Sequence, residues 1–229
     1  GLMNALGKRG YTAEQLMLAG LVVPGKNGGA YDKFRNRVMI PIKDPRGKIV
    51  GFTGRILGDG MPKYMNTGET EFFIKRYLLF GLDIAVNEIR KTRQAIVVEG
   101  HMDAISLHAA GVKNAVASMG TAFAAEQARL LKRMCDEVVF CYDSDNAGRN
   151  ASVRAVSIAR ATGLKVRVAG VPDGKDPDEF IRQHGKDAFI EVIKQGLDGI
   201  DYQVEETILQ NNVTNLAGKV EAVSKIIPF

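Results

Sequence analysis

The residues best suited to do chemistry in this 229-residue chain are acids that follow short apolar runs. Val138-Val139-Phe140-Cys141-Tyr142 leads into Asp143-Ser144-Asp145, then into a turn at Asn146-Ala147-Gly148. Ala95-Ile96-Val97-Val98 leads into Glu99-Gly100, with Asp103 one helical turn later. A third run, Lys165 to Ala169, precedes the loop Pro172-Asp173-Gly174-Lys175-Asp176-Pro177-Asp178. Carboxylates two positions apart leave an extended strand on the same side. Five or six carboxylates cannot share a small site in ionised form without cations. Mg²⁺ or Mn²⁺ takes such oxygen ligands and bridges phosphate oxygens, as in two-metal phosphoryl transfer. The protein's share of that chemistry is positioning and charge neutralisation. Two acids after a strand are also a common solvated turn. On the Asp143–Asp145 stretch alone the two readings carry equal weight.

The elements around the acids favour convergence. From Gln94 onward strand and helix patterns alternate through four β-α units, with helices over 102–110, 124–134, 151–162, 177–184 and 186–195. Short apolar strands in that order make a parallel sheet covered on both faces. All strand C-termini then lie on one edge, where such folds bind ligands. The helix start at Gly148-Arg149 is also suited to a phosphate.

The preceding block reads differently. Thr12 to Gln15 has the form of a capping box, and Gly20 ends the short helix that follows. Pro24 to Ala30 is a Gly-rich loop. Tyr31 to Ile42 reads as one strand on which Arg35 and Arg37 point the same way. Asp44-Pro45-Arg46-Gly47 is a turn, and Lys48 to Leu57 is the returning strand. Gly51 and Gly54 within it imply a bulge or the close approach of a ligand. Pro62 to Thr67 is a polar strand or loop, and Leu82 to Ile89 a helix. The expected division is a basic α+β subdomain at 1–87, a central α/β domain at 88–196 and an acidic helical segment at 197–229.

Charge follows that division. Residues 1–87 carry 13 Lys+Arg against 7 Asp+Glu, 88–196 carry 16 against 14, and 197–229 carry 2 against 5. A basic surface beside an acidic cluster suits a polyanion and a metal. No run is apolar and long enough to span a membrane, and these residues show no signal-peptide pattern. Cys135 and Cys141 fit no disulfide or metal framework and read as buried hydrophobes, with a cytoplasmic location as the default. Gly1 rather than Met, and Phe229 after Pro228, read as the cut ends of a longer protein.

Val98-Glu99-Gly100-His101-Met102-Asp103, Asp143-Ser144-Asp145-Asn146-Ala147-Gly148 and Asp173-Gly174-Lys175-Asp176-Pro177-Asp178 resemble the three acidic motifs of a Toprim domain. Phe34 to Ile42, with Gly54-Arg55, Pro62-Lys63-Tyr64 and Phe80-Gly81-Leu82, is similar to the basic subdomain ahead of Toprim in bacterial replicative primases of the DnaG type. Both motif sets occur in the primase order. The resemblance implies a core that makes short RNA primers on single-stranded DNA from ribonucleoside triphosphates with Mg²⁺ or Mn²⁺. It implies Glu99, Asp143 and Asp145 as catalytic, with Asp176 and Asp178 joining them as metal ligands. It implies Arg55, Lys63, Lys75 and Asp103 at the nucleotide, and Arg35, Arg37, Arg55, Lys63 and Tyr64 at the template. His101 and Ser144 stand where the family commonly has Tyr and Gly; the acids rather than His101 are expected as ligands. Zinc and the replicative helicase belong to family domains outside these residues. A monomer working at the replication fork is expected. Two other readings stay open: another Toprim enzyme that cuts nucleic acid, and a non-catalytic nucleic-acid-binding module.

Overall fold

The computed structural model describes the chain except for Lys26, Asn27, Thr121, Asp173, Gly174, Lys175, Asn212, Pro228 and Phe229. Parts of the Gly-rich loop and of the third acidic motif therefore lie outside the described residues, as do Thr121, Asn212 and the Pro228-Phe229 end. The chain divides into two units, Gly1–Leu78 and Leu79–Phe229.

In the first unit, α1 (Leu2–Gly7) and α2 (Ala13–Leu18) are short helices. The capping box at α2 is formed: Gln15 N–H donates to Thr12 Oγ1 at 3.2 Å, and Thr12 N–H donates to Gln15 Oε1 at 2.9 Å. A two-stranded ribbon pairs β1 (Val22–Pro24) with β2 (Ala30–Asp32). A separate antiparallel sheet has the order β3 (Arg37–Lys43), β4 (Ile49–Ile56), β5 (Tyr64–Asn66). The single strand expected from Tyr31 to Ile42 is thus two strands in two sheets. Asn36 breaks it by adopting φ 53°, a left-handed conformation that asparagine tolerates better than most residues. Arg35 consequently lies outside β3 while Arg37 opens it, so the two do not share a strand face.

The glycines of β4 make room for the protein's own side chains. A Cβ on Gly51 would stand 2.7 Å from the Phe73 ring. One on Gly54 would stand 2.9 Å from Arg37 Cδ and 3.0 Å from Phe34 Cδ1. The register slips between Ile42 and Lys43, which places the expected bulge beside Gly51, and the atoms that approach these glycines belong to the protein's own side chains.

The second unit follows the alternating pattern. Its elements are α3 (Leu82–Thr92), β6 (Gln94–Val98), α4 (His101–Ala109), β7 (Ala115–Ala117), α5 (Ala125–Lys132), β8 (Glu137–Phe140), α6 (Asn146–Arg160) and β9 (Lys165–Val168). Then come α7 (Pro177–Lys194), β10 (Leu197–Asp198), α8 (Gly199–Gln210) and α9 (Leu216–Ile226). The sheet order is β10-β9-β8-β6-β7. Four strands are parallel, and β10 adds an antiparallel edge to β9. Val97, Val138 and Phe140 are fully buried in its core. The two helices expected over 177–184 and 186–195 are present within α7, separated at Gly185, whose φ of 78° breaks the helix between them. Helix α6 begins five residues earlier than the periodicity suggested, because Asp145 caps it.

Candidate active site

Strand register brings the first two acidic motifs together. Val97 of β6 lies opposite Phe140 of β8, so the chain leaves both strands side by side at Glu99 and Asp143. Gly148 then carries the start of α6 against both. A Cβ there would overlap the Asp143 carbonyl oxygen and stand 3.0 Å from Glu99 Oε1. Asp145 is the N-cap of α6, its Oδ1 accepting from Gly148 N–H at 2.7 Å. That cap satisfies a helix-end donor and sets the carboxylate at the positive end of the helix.

The third motif is tied to the first. Asp176 caps α7, accepting from Glu179 N–H at 2.7 Å, with Pro177 in the first helical turn. Asp103 is buried and spans the gap: Oδ2 accepts from Gly100 N–H at 2.9 Å, and Oδ1 accepts from Asp178 N–H at 3.2 Å. Asp178 accepts from the Ser106 hydroxyl and pairs with Arg182. Asp103, expected at the nucleotide, therefore sits as a brace between two motif loops.

Burial and neighbouring carboxylates raise the pKa of three of these acids, Glu99, Asp143 and Asp103. Burial, then the charge of Asp143 and further off that of Asp145, lifts the Glu99 carboxyl, against the pull of the Asp143 backbone N–H. Burial, then Asp176 and Asp145, lifts Asp143. Burial above all lifts Asp103 to about 7, with Asp143 and Asp176 adding to it and the Gly100 and Asp178 N–H groups opposing. Glu99 Oε1 is buried with no hydrogen-bond partner. Hard oxygen donors, mutual repulsion and an unsatisfied buried carboxylate oxygen fit a divalent cation. Among the described residues no three of these groups already stand in coordinating geometry. The two cysteines are buried, and burial pushes the Cys141 thiol up to about 12 and that of Cys135 to about 11, so both are inert.

In the first unit the basic residues separate into two kinds. Arg37 is spent on the fold: its guanidinium donates to the carbonyls of Gly54 at 2.9 Å, Pro62 at 2.8 Å and Lys63 at 3.3 Å. Arg55 and Lys63 instead flank the Tyr64 ring at 5.8 and 5.9 Å, Arg55 standing directly opposite Tyr64 across the strands. Arg35 lies over the Tyr31 ring at 5.0 Å. Lys75 opens a single 3₁₀ turn, and its charge, after burial, helps lower the Lys33 pKa. Cations interleaved with aromatic faces suit backbone charge and base stacking.

Comparison with known proteins agrees with both halves. Residues 1–86 match the family model for the DNA primase catalytic core, N-terminal domain, and residues 96–181 match a Toprim-like model. The chain is 44% identical over 226 residues to the DNA primase of Clostridium acetobutylicum, covering 98% of this chain and 37% of that protein. The solved Escherichia coli primase catalytic core is 37% identical with a TM-score of 0.87, covering 98% of this chain and 74% of that one. The chain belongs to the bacterial DnaG primases. A DnaG primase catalytic domain solved bound to single-stranded DNA is also similar, at 37% identity and a TM-score of 0.85 over 96% of this chain and 73% of that one. This primase core spans little more than a third of the curated relative's length.

Several side-chain contacts of this primase core escape sequence reasoning. Ser106 and Arg182 hold Asp178, and Arg149 reaches back to the Asp143–Asp145 loop. Only Arg182 had a readable signal, the i, i+4 spacing from Asp178 on a helix. His101, 5% exposed, packs edge-on to Phe80 at 4.9 Å.

Proposed function

We propose that this primase core synthesises short RNA primers on single-stranded DNA from ribonucleoside triphosphates. The observation that carries the reading is the gathering of Glu99, Asp143, Asp145, Asp103 and Asp176 at one sheet edge, where burial and neighbouring carboxylates raise the pKa of Glu99, Asp143 and Asp103. Glu99, Asp143 and Asp145 are the proposed cation ligands, with Asp176 and Asp178 completing the set. Bound Mg²⁺ or Mn²⁺ supplies charge neutralisation for the triphosphate and its leaving group. Arg55, Lys63 and Lys75 supply positive charge for phosphates, and Tyr64 and Tyr31 offer faces for bases. The Asp145 cap and the Asp103 brace hold the carboxylates in place before substrate arrives. The likeness to a DnaG domain solved with single-stranded DNA supports the template assignment. In the whole protein, zinc and the replicative helicase are assigned to regions other than these residues.

The test is template-directed primer synthesis with Mg²⁺, comparing Asp143→Asn with the parent. The expected loss is on the order of 10³-fold, the scale of removing a transition-state charge stabiliser. Synthesis within a few-fold of the parent overturns the assignment. Strand cleavage without nucleotides would redirect it to another Toprim enzyme.

A further inference from the structure

Helices α6 and α8 meet along a polar seam. Gln210 Nε2 donates to Asn150 Oδ1 at 3.1 Å, and Gln203 Nε2 donates to Ser157 Oγ at 2.6 Å and to the Val153 carbonyl at 3.0 Å. At the acid end of this seam stands Arg149. Its Nε lies 3.8 Å from Glu206 Oε2, its Nη1 donates to the Ser144 carbonyl at 2.7 Å, and its Nη2 donates to the Asn146 side chain. Ser144 is the residue between Asp143 and Asp145. The Glu206 side chain is 8% exposed, so its charge needs a partner in place.

We infer that Arg149 is a positioning residue for the Asp143–Asp145 loop and that Glu206, from the C-terminal helical segment, holds it in that position. The guanidinium fixes the plane of the Ser144 peptide, and through it the directions in which the two flanking carboxylates leave the chain. A planar fork holds a carbonyl, an amide oxygen and a carboxylate around one rigid plane, a geometry that the tetrahedral donors of a single ammonium nitrogen do not reproduce. The C-terminal helices thereby help shape the acid cluster without lending it a ligand. The consequence for cations rests on the proposed metal site; the loop's order does not.

The experiment uses the whole 229-residue chain and two variants, Glu206→Gln and Arg149→Lys. Amide exchange reads the loop directly. Residues 144–148 are expected to exchange about 10-fold faster in both variants, the scale of a weakened local coupling, while α7 stays unchanged. Mn²⁺ titration followed by electron paramagnetic resonance is expected to show half-saturation shifted upward about 5-fold, with the KM for nucleotide unchanged. Loop exchange equal to the parent in both variants overturns the inference whatever the titration gives. A raised nucleotide KM with an unaltered loop also overturns it, because Arg149 would then be contacting substrate. Parent protein that binds no Mn²⁺ removes the metal reading, and the exchange result still decides the strut.

Discussion

In the first unit the cations lie along antiparallel strands and part of their bonding capacity is spent on the fold, whereas in the second the acids collect at one sheet edge and repel each other. Arg37 shows the first case, with three backbone carbonyls around its guanidinium. Glu99, Asp143 and Asp103 show the second, each with its pKa raised by burial and by neighbouring carboxylates. Positive charge can be read from composition, but its availability to a phosphate cannot. Negative charge held against its own repulsion is relieved by a cation or by a proton, and the raised pKa values record that repulsion.

The contrast breaks most sharply at Gly148. Gly148→Ala puts a methyl group into the Asp143 carbonyl and should cost metal-dependent synthesis a factor on the order of 10²–10³. Synthesis and melting temperature both equal to the parent would show that the acidic loop tolerates displacement.

Next in size is pH. The raised Asp103 carboxyl stays protonated in the folded chain from about pH 4 up to about 7, while the unfolded chain releases its proton. Folding stability should therefore fall as pH rises through that window, by on the order of 4 kcal/mol from this group, with Glu99 and Asp143 acting in the same direction. Mg²⁺ stabilises the ionised form, so its effect on the melting temperature should grow from about pH 5 to about pH 8. A Mg²⁺ effect independent of pH would deny that the acids meet the cation.

Gly51→Ala tests the first unit alone. Its methyl group would meet the Phe73 ring and destabilise that unit by about 1–3 kcal/mol, leaving Mn²⁺ affinity untouched. Urea melts followed beside the Mn²⁺ titration check both halves of that expectation.

The smallest effects separate the two kinds of base. Lys63→Ala should lower the slope of log affinity for single-stranded DNA against log salt by about 0.7, the share of a single neutralised phosphate. Arg37→Lys should leave that slope alone and cost about 1–2 kcal/mol of stability, since carbonyls lose their donors. The reverse pattern would place Arg37 at the phosphates and Lys63 in the fold.

Much of this was legible in the residues. Alternating strand and helix patterns from Gln94 announced a parallel sheet, and acids after apolar runs announced a cluster at its edge, because both follow from local periodicity and from the direction of the strands. The Thr12–Gln15 cap was equally local. Tertiary structure alone decided the rest. The break at Asn36 was hidden because no pattern marks a single left-handed residue within an apolar-basic run. The glycines of β4 carried a true signal of close approach, yet only packing revealed that Phe73, Phe34 and Arg37 approach. Asp103 and Asp178 are 75 residues apart, and Arg149 and Glu206 are brought together by the packing of α6 on α8. The sequence by itself determined which residues could hold charge and on which edge they would emerge, since side-chain chemistry and strand direction are local properties. Which oxygens and guanidinium groups are already committed to the fold depends on partners distant along the chain, and only the packed structure supplies them.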